Sequence, residues 1–410
     1  MARIHRCLAL SCALGVAGCA QGGLGPSQSA ALPQGAHRGS SSGGPEIYVF
    51  QGTPDAGSPR VGLVNVGNTL YGTTSGGGAD NLGAVYSVTA GGMETVMHSF
   101  SGGTDGENPD APLTNANGTL YGTTPQQGKN QGGTVFSLTP AGAYEVVYNF
   151  GTTSNDCTQP DAAMTYVPNK NALYGTAYSG GANGNGCIFK INLASKKPKE
   201  SIVYSFVGSS SSPIGASGPV FYDGSLYVTT PGGGDQRDGA VLRVTLSGHE
   251  SLIYSFKGSP DGSNPQAALV AVGKALYGDT AAGGVGACVA SSGCGTVFSV
   301  TPSGKESVIY RFSSFPSRLD GAVPDDALIA VGNTLCGTTT SCSGPGCSTG
   351  TLFAVTTAGD ESIVYSFSLN NPPGSPESPF GSVLSLNGAL YGTTEQSNDS
   401  GAGTVYAILQ

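Results

Sequence analysis

Three aspartates occupy one recurring place in the sequence, directly after a proline. They are Asp110, Asp161 and Asp325, preceded by Pro109, Pro160 and Pro324. The matching positions elsewhere in the chain hold Arg60, Ala216, Gln266 and Phe380. Carboxylates that a fold brings together can exchange protons with a substrate, hold a cation or bind a polar ligand. The alternative is that each is an ordinary solvated residue at the start of a strand.

Other motifs in the sequence give weaker evidence for catalysis or ligand binding. The phrase "GSSSG" at 39–43 matches the G-x-S-x-G pattern at Ser41, but it has no strand–turn–helix context and is interpreted as spacer. The glycine-rich loops lack the Lys-Ser/Thr and helix that a phosphate loop needs. His98 and His249 lie in different repeats, and Asp-Gly phrases are first of all turn devices, with calcium ligation the alternative. The sequence therefore predicts no catalytic residues, no cofactor and no metal.

The elements that position the aspartates come from a sevenfold repeat. Every unit contains a phrase related to "LYGTT", and the intervals between these phrases run from 50 to 59 residues. The seven leucines that open the phrase are Leu70, Leu120, Leu173, Leu226, Leu276, Leu335 and Leu390. Each unit holds four strand-like runs, which we name A (Pro-led, apolar), B ("LYGTT"), C ("GTVFSV") and D ("ESIVYSF"). Four strands in a period of about 50 residues predict an all-β protein, a seven-bladed β-propeller with four antiparallel strands per blade.

The two ends of the repeat array predict how the ring closes. The array begins with a D run, "IYVF" at 47–50, and ends with a C run, "GTVYAI" at 403–408. The N-terminal strand is therefore expected to join the C-terminal blade and leave no open sheet edge. Within "LYGTT", Leu and Tyr are expected to face the two neighbouring blades. The Gly is expected to allow close approach to bulky residues of the next blade.

The tandem "LYGTT…GG…GTVF" unit resembles the bacterial GloVer repeat, a family of surface-anchored proteins. The resemblance covers roughly residues 46–410 and implies a location at the cell surface. It implies no activity and no functional site. The strand order also resembles that of quinoprotein-type propellers, whose outer strand carries a Trp. This chain has no Trp, which argues against a quinone cofactor.

The N-terminus predicts export. "MARIHRCLALSCALGVAGC" has a basic head, an apolar run too short to span a bilayer, and a "VAGC" segment that resembles the lipobox of bacterial lipoproteins. We therefore expect a signal peptide at 1–18, lipidation of Cys19, a flexible Gly/Ser/Pro tether at 19–45 and the propeller at 46–410. An ordinary cleaved signal is the alternative. Ala20, instead of Asp, favours the outer membrane or cell surface over inner-membrane retention. The net charge of −9 argues against nucleic-acid binding.

Six cysteines are expected to form disulfides, because exported chains meet an oxidising environment. The pairs are Cys157 with Cys187, Cys288 with Cys294, and Cys342 with Cys347, each at one end of a blade or within one loop. Zinc ligation is the alternative, which the absence of a nearby histidine disfavours.

These observations lead to a functional hypothesis. The A–B and C–D turns are short and uniform, whereas the B–C and D–A loops vary and share the other face. Function usually lies on variable loops over a rigid scaffold. We expect a monomeric, non-enzymatic module that binds or scaffolds an unknown protein or polysaccharide ligand through this face. Arg60, Asp110, Asp161, Gln266 and Asp325 would ring the mouth of the central channel. A lyase or hydrolase at that mouth and a carbohydrate-binding propeller are the alternatives.

Overall fold

Seven four-stranded antiparallel sheets make up most of the computed structural model, which confirms the predicted seven-bladed propeller. The structure describes residues 45–195, 198–208, 216–286, 288, 293–313, 321–340, 350–367, 376–397 and 401–409. From blade 1 to blade 7, strand A spans Val64–Val66, Thr114–Ala116, Thr165–Val167, Val220–Tyr222, Val270–Val272, Ile329–Val331 and Pro376–Leu386. Strand B spans Thr69–Thr74, Thr119–Thr124, Ala172–Ala177, Ser225–Thr230, Ala275–Thr280, Thr334–Thr339 and Ala389–Ser397.

Strands C and D complete each blade. Strand C spans Ala84–Thr89, Thr134–Leu138, Cys187–Asn192, Ala240–Thr245, Thr296–Val300, Thr351–Thr356 and Thr404–Leu409. Strand D spans Glu94–Ser99, Tyr144–Asn149, Glu200–Ser205, Glu250–Ser255, Glu306–Arg311, Glu361–Ser366 and, for blade 7, Glu46–Val49. The A strands of consecutive blades contact one another, which places strand A innermost around the axis.

The remaining elements are small. Three two-residue ladders join a D–A loop to a B–C loop: Ala56–Gly57 with Gly76–Gly77, Cys157–Thr158 with Ser179–Gly180, and Gly262–Ser263 with Ala282–Gly283. One short 3-10 turn, Pro168–Lys170, connects strands A and B of blade 3. No helix in the described ranges is long and apolar enough to cross a bilayer.

The core consists of seven apolar clusters, one between each pair of neighbouring blades. Between blades 1 and 2, for example, Tyr71 and Val85 pack with Leu120 and Phe136. Leu70 faces the other way, towards Tyr391 of blade 7. The leucine and tyrosine of "LYGTT" thus pack against opposite neighbours, as predicted. A sheet that is apolar on both faces cannot bury them alone, and the ring buries both.

The glycine of "LYGTT" makes room within its own blade, which corrects the expectation that it serves the next blade. Gly72 pairs with Tyr86 of strand C, and a Cβ added at Gly72 would overlap the ring of Tyr86. The same glycine-under-aromatic pair recurs in five other blades, where the glycines are Gly122, Gly175, Gly278, Gly337 and Gly392. Blade 4 instead pairs Val228 with Leu242, so a larger residue on strand B accompanies a smaller one on strand C.

The threonines of "LYGTT" satisfy buried polar groups. In four blades the first threonine reaches the next blade, as where Thr73 Oγ1 donates to the carbonyl of Ala111 at 3.0 Å and Thr229 Oγ1 to that of Ala267 at 2.7 Å. The second threonine stays within the blade, as where Thr124 Oγ1 lies 2.8 Å from Thr134 Oγ1. In these four blades, the first threonine therefore ties neighbouring blades together by a buried hydrogen bond.

A β-bulge lies in strand D of every blade. In blade 1 the register against strand C passes from Val85–His98 to Tyr86–Val96, which leaves Met97 as the extra residue. Corresponding shifts occur in the other six C–D ladders. The bulge explains why the "SIVYSF" run does not alternate strictly between apolar and polar residues.

The N-terminal strand closes the ring. Glu46–Val49 pairs antiparallel with Thr404–Leu409, and the backbone N–H of Phe50 donates to the carbonyl of Gly403 at 3.0 Å. Phe50 is fully buried and contacts the ring of Tyr86 in blade 1 with centroids 4.9 Å apart. This pairing confirms the closure predicted from the order of the repeat phrases.

Two of the expected disulfides are present, Cys157–Cys187 and Cys288–Cys294. Cys342 and Cys347 lie outside the described residues, as do the signal segment, Cys19 and residues 20–44 of the tether. Lipidation and the domain boundaries therefore remain predictions. Structural disulfides are typical of exported proteins, and two in one chain agree with export.

Removing the longer-range disulfide is expected to cost more stability than removing the local one. Cys157 and Cys187 are 30 residues apart, and Cys288 and Cys294 are 6 apart. Loop-closure entropy predicts a loss of about 3–4 kcal/mol for Cys157→Ala/Cys187→Ala and about 2 kcal/mol for Cys288→Ala/Cys294→Ala. Urea unfolding of the two variants under non-reducing conditions measures the difference. A larger loss for the short loop would contradict this prediction.

Candidate binding cavity

The residues that follow the repeated proline meet at the centre of the ring, together with Ala216, which holds the matching position in blade 4 after a glycine. A cavity of about 470 Å³ is lined by all seven: Arg60, Asp110, Asp161, Ala216, Gln266, Asp325 and Phe380. The structure thus brings together every residue that the sequence placed at the channel mouth. That they bind a ligand remains a prediction.

Each proline sets the position of the residue after it. The glycine before strand C of one blade packs against the proline of the next blade, and a Cβ at Gly295 would lie 2.6 Å from Cδ of Pro324. Equivalent contacts join Gly83 to Pro109 and Gly403 to Pro59. Because the proline is wedged between two blades, the next residue lies at the inner end of strand A, beside the axis.

The cavity opens on the face of the variable loops. Its lining includes Tyr178 and Pro231, which directly follow strand B in blades 3 and 4. The A–B turns lie at the opposite end and are tight, with positive φ at Gly67 and Asn68 in blade 1. Such paired positive φ values are typical of two-residue hairpin turns, which leave little room for a site.

The single arginine of the cavity wall already has a partner. Nε of Arg60 donates to Oε1 of Glu395 at 2.9 Å, and a second guanidinium nitrogen also contacts that oxygen. Glu395 lies on strand B of blade 7, so this ion pair crosses the closure between blades 7 and 1. The charge of Arg60 is therefore largely balanced before any ligand enters.

Asp110 and Asp161 lie on adjacent blades and affect each other. Burial raises the pKa of Asp161 to about 6, and the charge of Asp110 contributes to the rise. Burial also raises the pKa of Asp110, while the neighbouring Arg60 opposes that rise. At neutral pH Asp161 is mostly ionised, so this side of the cavity is negative.

Asp325 and Asp326 form a second acidic pair in the wall. Burial raises the pKa of both carboxyls, and the charge of Asp325 raises that of Asp326 further. Asp326 is held in place by the backbone N–H of Gly381, which donates to Oδ2 at 2.8 Å, and by Thr338 Oγ1 at 3.3 Å. Oδ1 of Asp325 is buried and makes no hydrogen bond within the described part of the chain.

Behind this pair lies Asp279, which sequence reasoning missed. It replaces the first threonine of "LYGTT" in blade 5 ("LYGDT") and is 1% exposed. Neither carboxylate oxygen has a hydrogen-bond partner among the described residues. Burial raises its pKa well above the ordinary range, and the charges of Asp325 and Asp326 add to the shift. In four blades the equivalent threonine donates to the next blade, and only the protonated form of Asp279 could do the same.

Sequence reasoning also missed Asp326, Tyr178 and Glu395. The doubled "PDD" at 324–326 was the available signal for Asp326. Glu395, near the end of strand B in blade 7, and Tyr178, directly after strand B in blade 3, gave no signal, because only the closed ring brings them to the cavity.

The two histidines in the described part of the chain, His98 and His249, do not line the cavity. His98 lies on strand D of blade 1, stacked on Tyr144 with ring centroids 3.6 Å apart and bonded through Nε2 to Asp105 at 3.1 Å. His249 lies in the C–D turn of blade 4. Within the described ranges, no three His, Cys, Asp or Glu side chains are arranged to hold a metal ion.

Comparison with known families agrees with the repeat phrases. The Gloeobacter/Verrucomicrobia repeat matches residues 40–220 and again 199–406, which together span almost the entire propeller. The chain belongs to this family. No curated protein matches the chain. Membership in the Gloeobacter/Verrucomicrobia repeat family confirms the resemblance seen in the sequence.

Solved structures show distant likeness to other propellers. A 6-phosphogluconolactonase candidate from Bacteroides uniformis has a TM-score of 0.47 at 14% identity, over 76% of this chain and 87% of that one. The propeller domain of the trilobed protease from Pyrococcus furiosus has a TM-score of 0.45 at 6% identity, over 86% and 93%. A gluconolactonase from Xanthomonas campestris has a TM-score of 0.39 at 10% identity, over 88% of both chains. Similarity at this level carries no information about ligands or activity.

Proposed function

We propose that this member of the Gloeobacter/Verrucomicrobia repeat family is a non-enzymatic binding module whose ligand enters the central cavity from the variable-loop face. The observation that carries the proposal is the cavity itself, where seven positions, one from each blade, converge. Its volume of about 470 Å³ lies within the range of ordinary small-molecule sites. The seven inter-blade cores form a rigid frame, and rigid frames suit binding because little ordering is needed when the ligand enters.

The proposed location follows from the N-terminal sequence. Lipidation at Cys19 would anchor the chain, and the tether at 19–45 would hold the propeller just off a membrane surface. Ala20 favours the outer membrane. In this arrangement the cavity would be accessible to molecules of the cell envelope or its surroundings.

A ligand search with the purified protein tests the binding function. Fractions of envelope and extracellular small molecules and oligosaccharides are screened for a rise in melting temperature. Each hit is repeated with Asp110→Asn/Asp161→Asn/Asp325→Asn. We expect at least one ligand whose stabilising effect is lost in the triple variant and which is recovered chemically unchanged. If no ligand depends on the cavity residues, the proposal is wrong.

A hydrolase or lyase at the same cavity is the second candidate. It is favoured by the carboxyl of Asp161, because a pKa of about 6 suits a group that both accepts and donates a proton near neutral pH. Mass spectrometry of the recovered hits separates the two candidates. An enzyme would return a product, and Asp161→Asn would slow its formation by about 10²–10⁴-fold. A binder would return the ligand intact.

A further inference from the structure

The charges of the cavity wall do not balance. Among the described residues, four carboxyl groups line it, those of Asp110, Asp161, Asp325 and Asp326, and Arg60 is the one basic residue. Burial favours the protonated form of Asp326 by raising its pKa, so the negative charge comes mainly from the other three. Arg60 is paired with Glu395, which adds a further carboxylate next to the cavity. The wall therefore carries a net negative potential, which low-dielectric surroundings strengthen.

The wall also contains a buried hydrogen-bond acceptor without a donor. Oδ1 of Asp325 is buried and accepts no hydrogen bond within the described part of the chain. Buried acceptors without donors are costly, so a ligand that brings donors gains affinity here.

Two aromatic side chains accompany the carboxyls. Tyr178 is 48% exposed, although large apolar side chains are usually buried, and Phe380 lines the wall from blade 7. Aromatic faces attract organic cations such as ammonium and guanidinium groups.

We infer that the cavity binds a small organic cation carrying ammonium or guanidinium groups. This inference rests on the proposed binding function and names the chemical class of its ligand. Ammonium and guanidinium groups supply three and five N–H donors respectively. They can donate to the unpaired Oδ1 of Asp325 and balance the charge of the wall at the same time.

Isothermal titration calorimetry with spermidine tests the inference. Titrations at pH 7.5 compare the purified protein with Asp161→Asn/Asp325→Asn, which removes two charges from the cavity. The matched control, Asp223→Asn/Asp360→Asn, removes two charges from exposed turns on the opposite face. We expect at least tenfold weaker binding in the cavity variant and no more than a twofold change in the control. Circular dichroism and melting curves verify that both variants are folded.

Further titrants separate the competing explanations. Glucose represents a neutral polyol, glutamate an anion and Ca²⁺ a bare metal ion. Cavity-dependent binding of glucose without binding of spermidine would overturn the cation inference and leave the binding function intact. An equal loss of spermidine binding in both variants would show non-specific attraction to net charge and would also overturn the inference. The binding function itself fails only in the ligand search described above.

Discussion

Asp279→Thr is expected to stabilise the protein, and by a margin that grows as the pH rises. The threonine would restore the hydroxyl that donates from strand B to the next blade, as Thr229 does to the carbonyl of Ala267. It would also remove a buried carboxyl whose two oxygens have no hydrogen-bond partner among the described residues. We expect a gain of about 2 kcal/mol at pH 5, of which the hydrogen bond supplies about half.

The sign of the pH dependence follows from the raised pKa of Asp279. In the unfolded chain the carboxyl loses its proton near the ordinary value of about 3.9, whereas in the folded protein it retains the proton to higher pH. Above pH 4 the folded state therefore binds more protons than the unfolded state, and stability falls as pH rises, by up to about 1.4 kcal/mol per pH unit. The threonine variant lacks this contribution, so its advantage widens until the pH reaches the folded pKa.

Urea unfolding at pH 5, 6, 7 and 8 measures this effect. The matched control places the same carboxyl in blade 4: Thr229→Asp should destabilise the protein, increasingly so as the pH rises. If Asp279→Thr is less stable than the parent protein across this pH range, then Asp279 has a stabilising partner and the interpretation of an unsatisfied carboxyl is wrong.

Deleting residues 46–51 is expected to open the ring and lower the melting temperature by on the order of 10 °C or more. The segment supplies the whole D strand of blade 7 and the fully buried Phe50. Loss of one buried phenylalanine costs about 3–5 kcal/mol, and the deletion also exposes the edge of Thr404–Leu409.

Two comparisons make the deletion informative. Removing six residues from the predicted tether, 36–41, shortens the chain equally and should leave the melting temperature unchanged. Phe50→Ala alone should give an intermediate loss, because the backbone pairing with strand C remains. An unchanged melting temperature after deletion of 46–51 would show that the ring does not depend on this closure.

The architecture of the ring could be predicted from the sequence because it depends on short motifs that recur in every repeat. The order of the D and C runs at the two ends predicted that Glu46–Val49 would join the last blade. The residues after the repeated prolines were predicted to share one place, and they line one cavity. Predictions of position are strong in a repeat protein, because the seven equivalent units pack against their neighbours in the same way.

Features that depend on tertiary contacts between strands and between blades could not be predicted from the sequence. The raised pKa of Asp279 comes from its burial and from the charges of Asp325 and Asp326 on the next blade, and nothing in "LYGDT" indicates those neighbours. The role of the repeated glycine was predicted incorrectly. Tyr86 lies opposite Gly72 on the adjacent strand, and the register of strand C decides which ring covers the glycine. The bulge at Met97 likewise depends on pairing rather than composition.

The exchange in blade 4 constrains how this protein could evolve by recombination between its own repeats. Strands B and C form one steric unit, with glycine under an aromatic ring in six blades and Val228 opposite Leu242 in the other. A crossover between strands B and C that joined Val228 to a phenylalanine would create a clash. The reverse product, glycine opposite leucine, would leave a void. Duplication of intact strand pairs is therefore the tolerated route by which the number or order of blades could change.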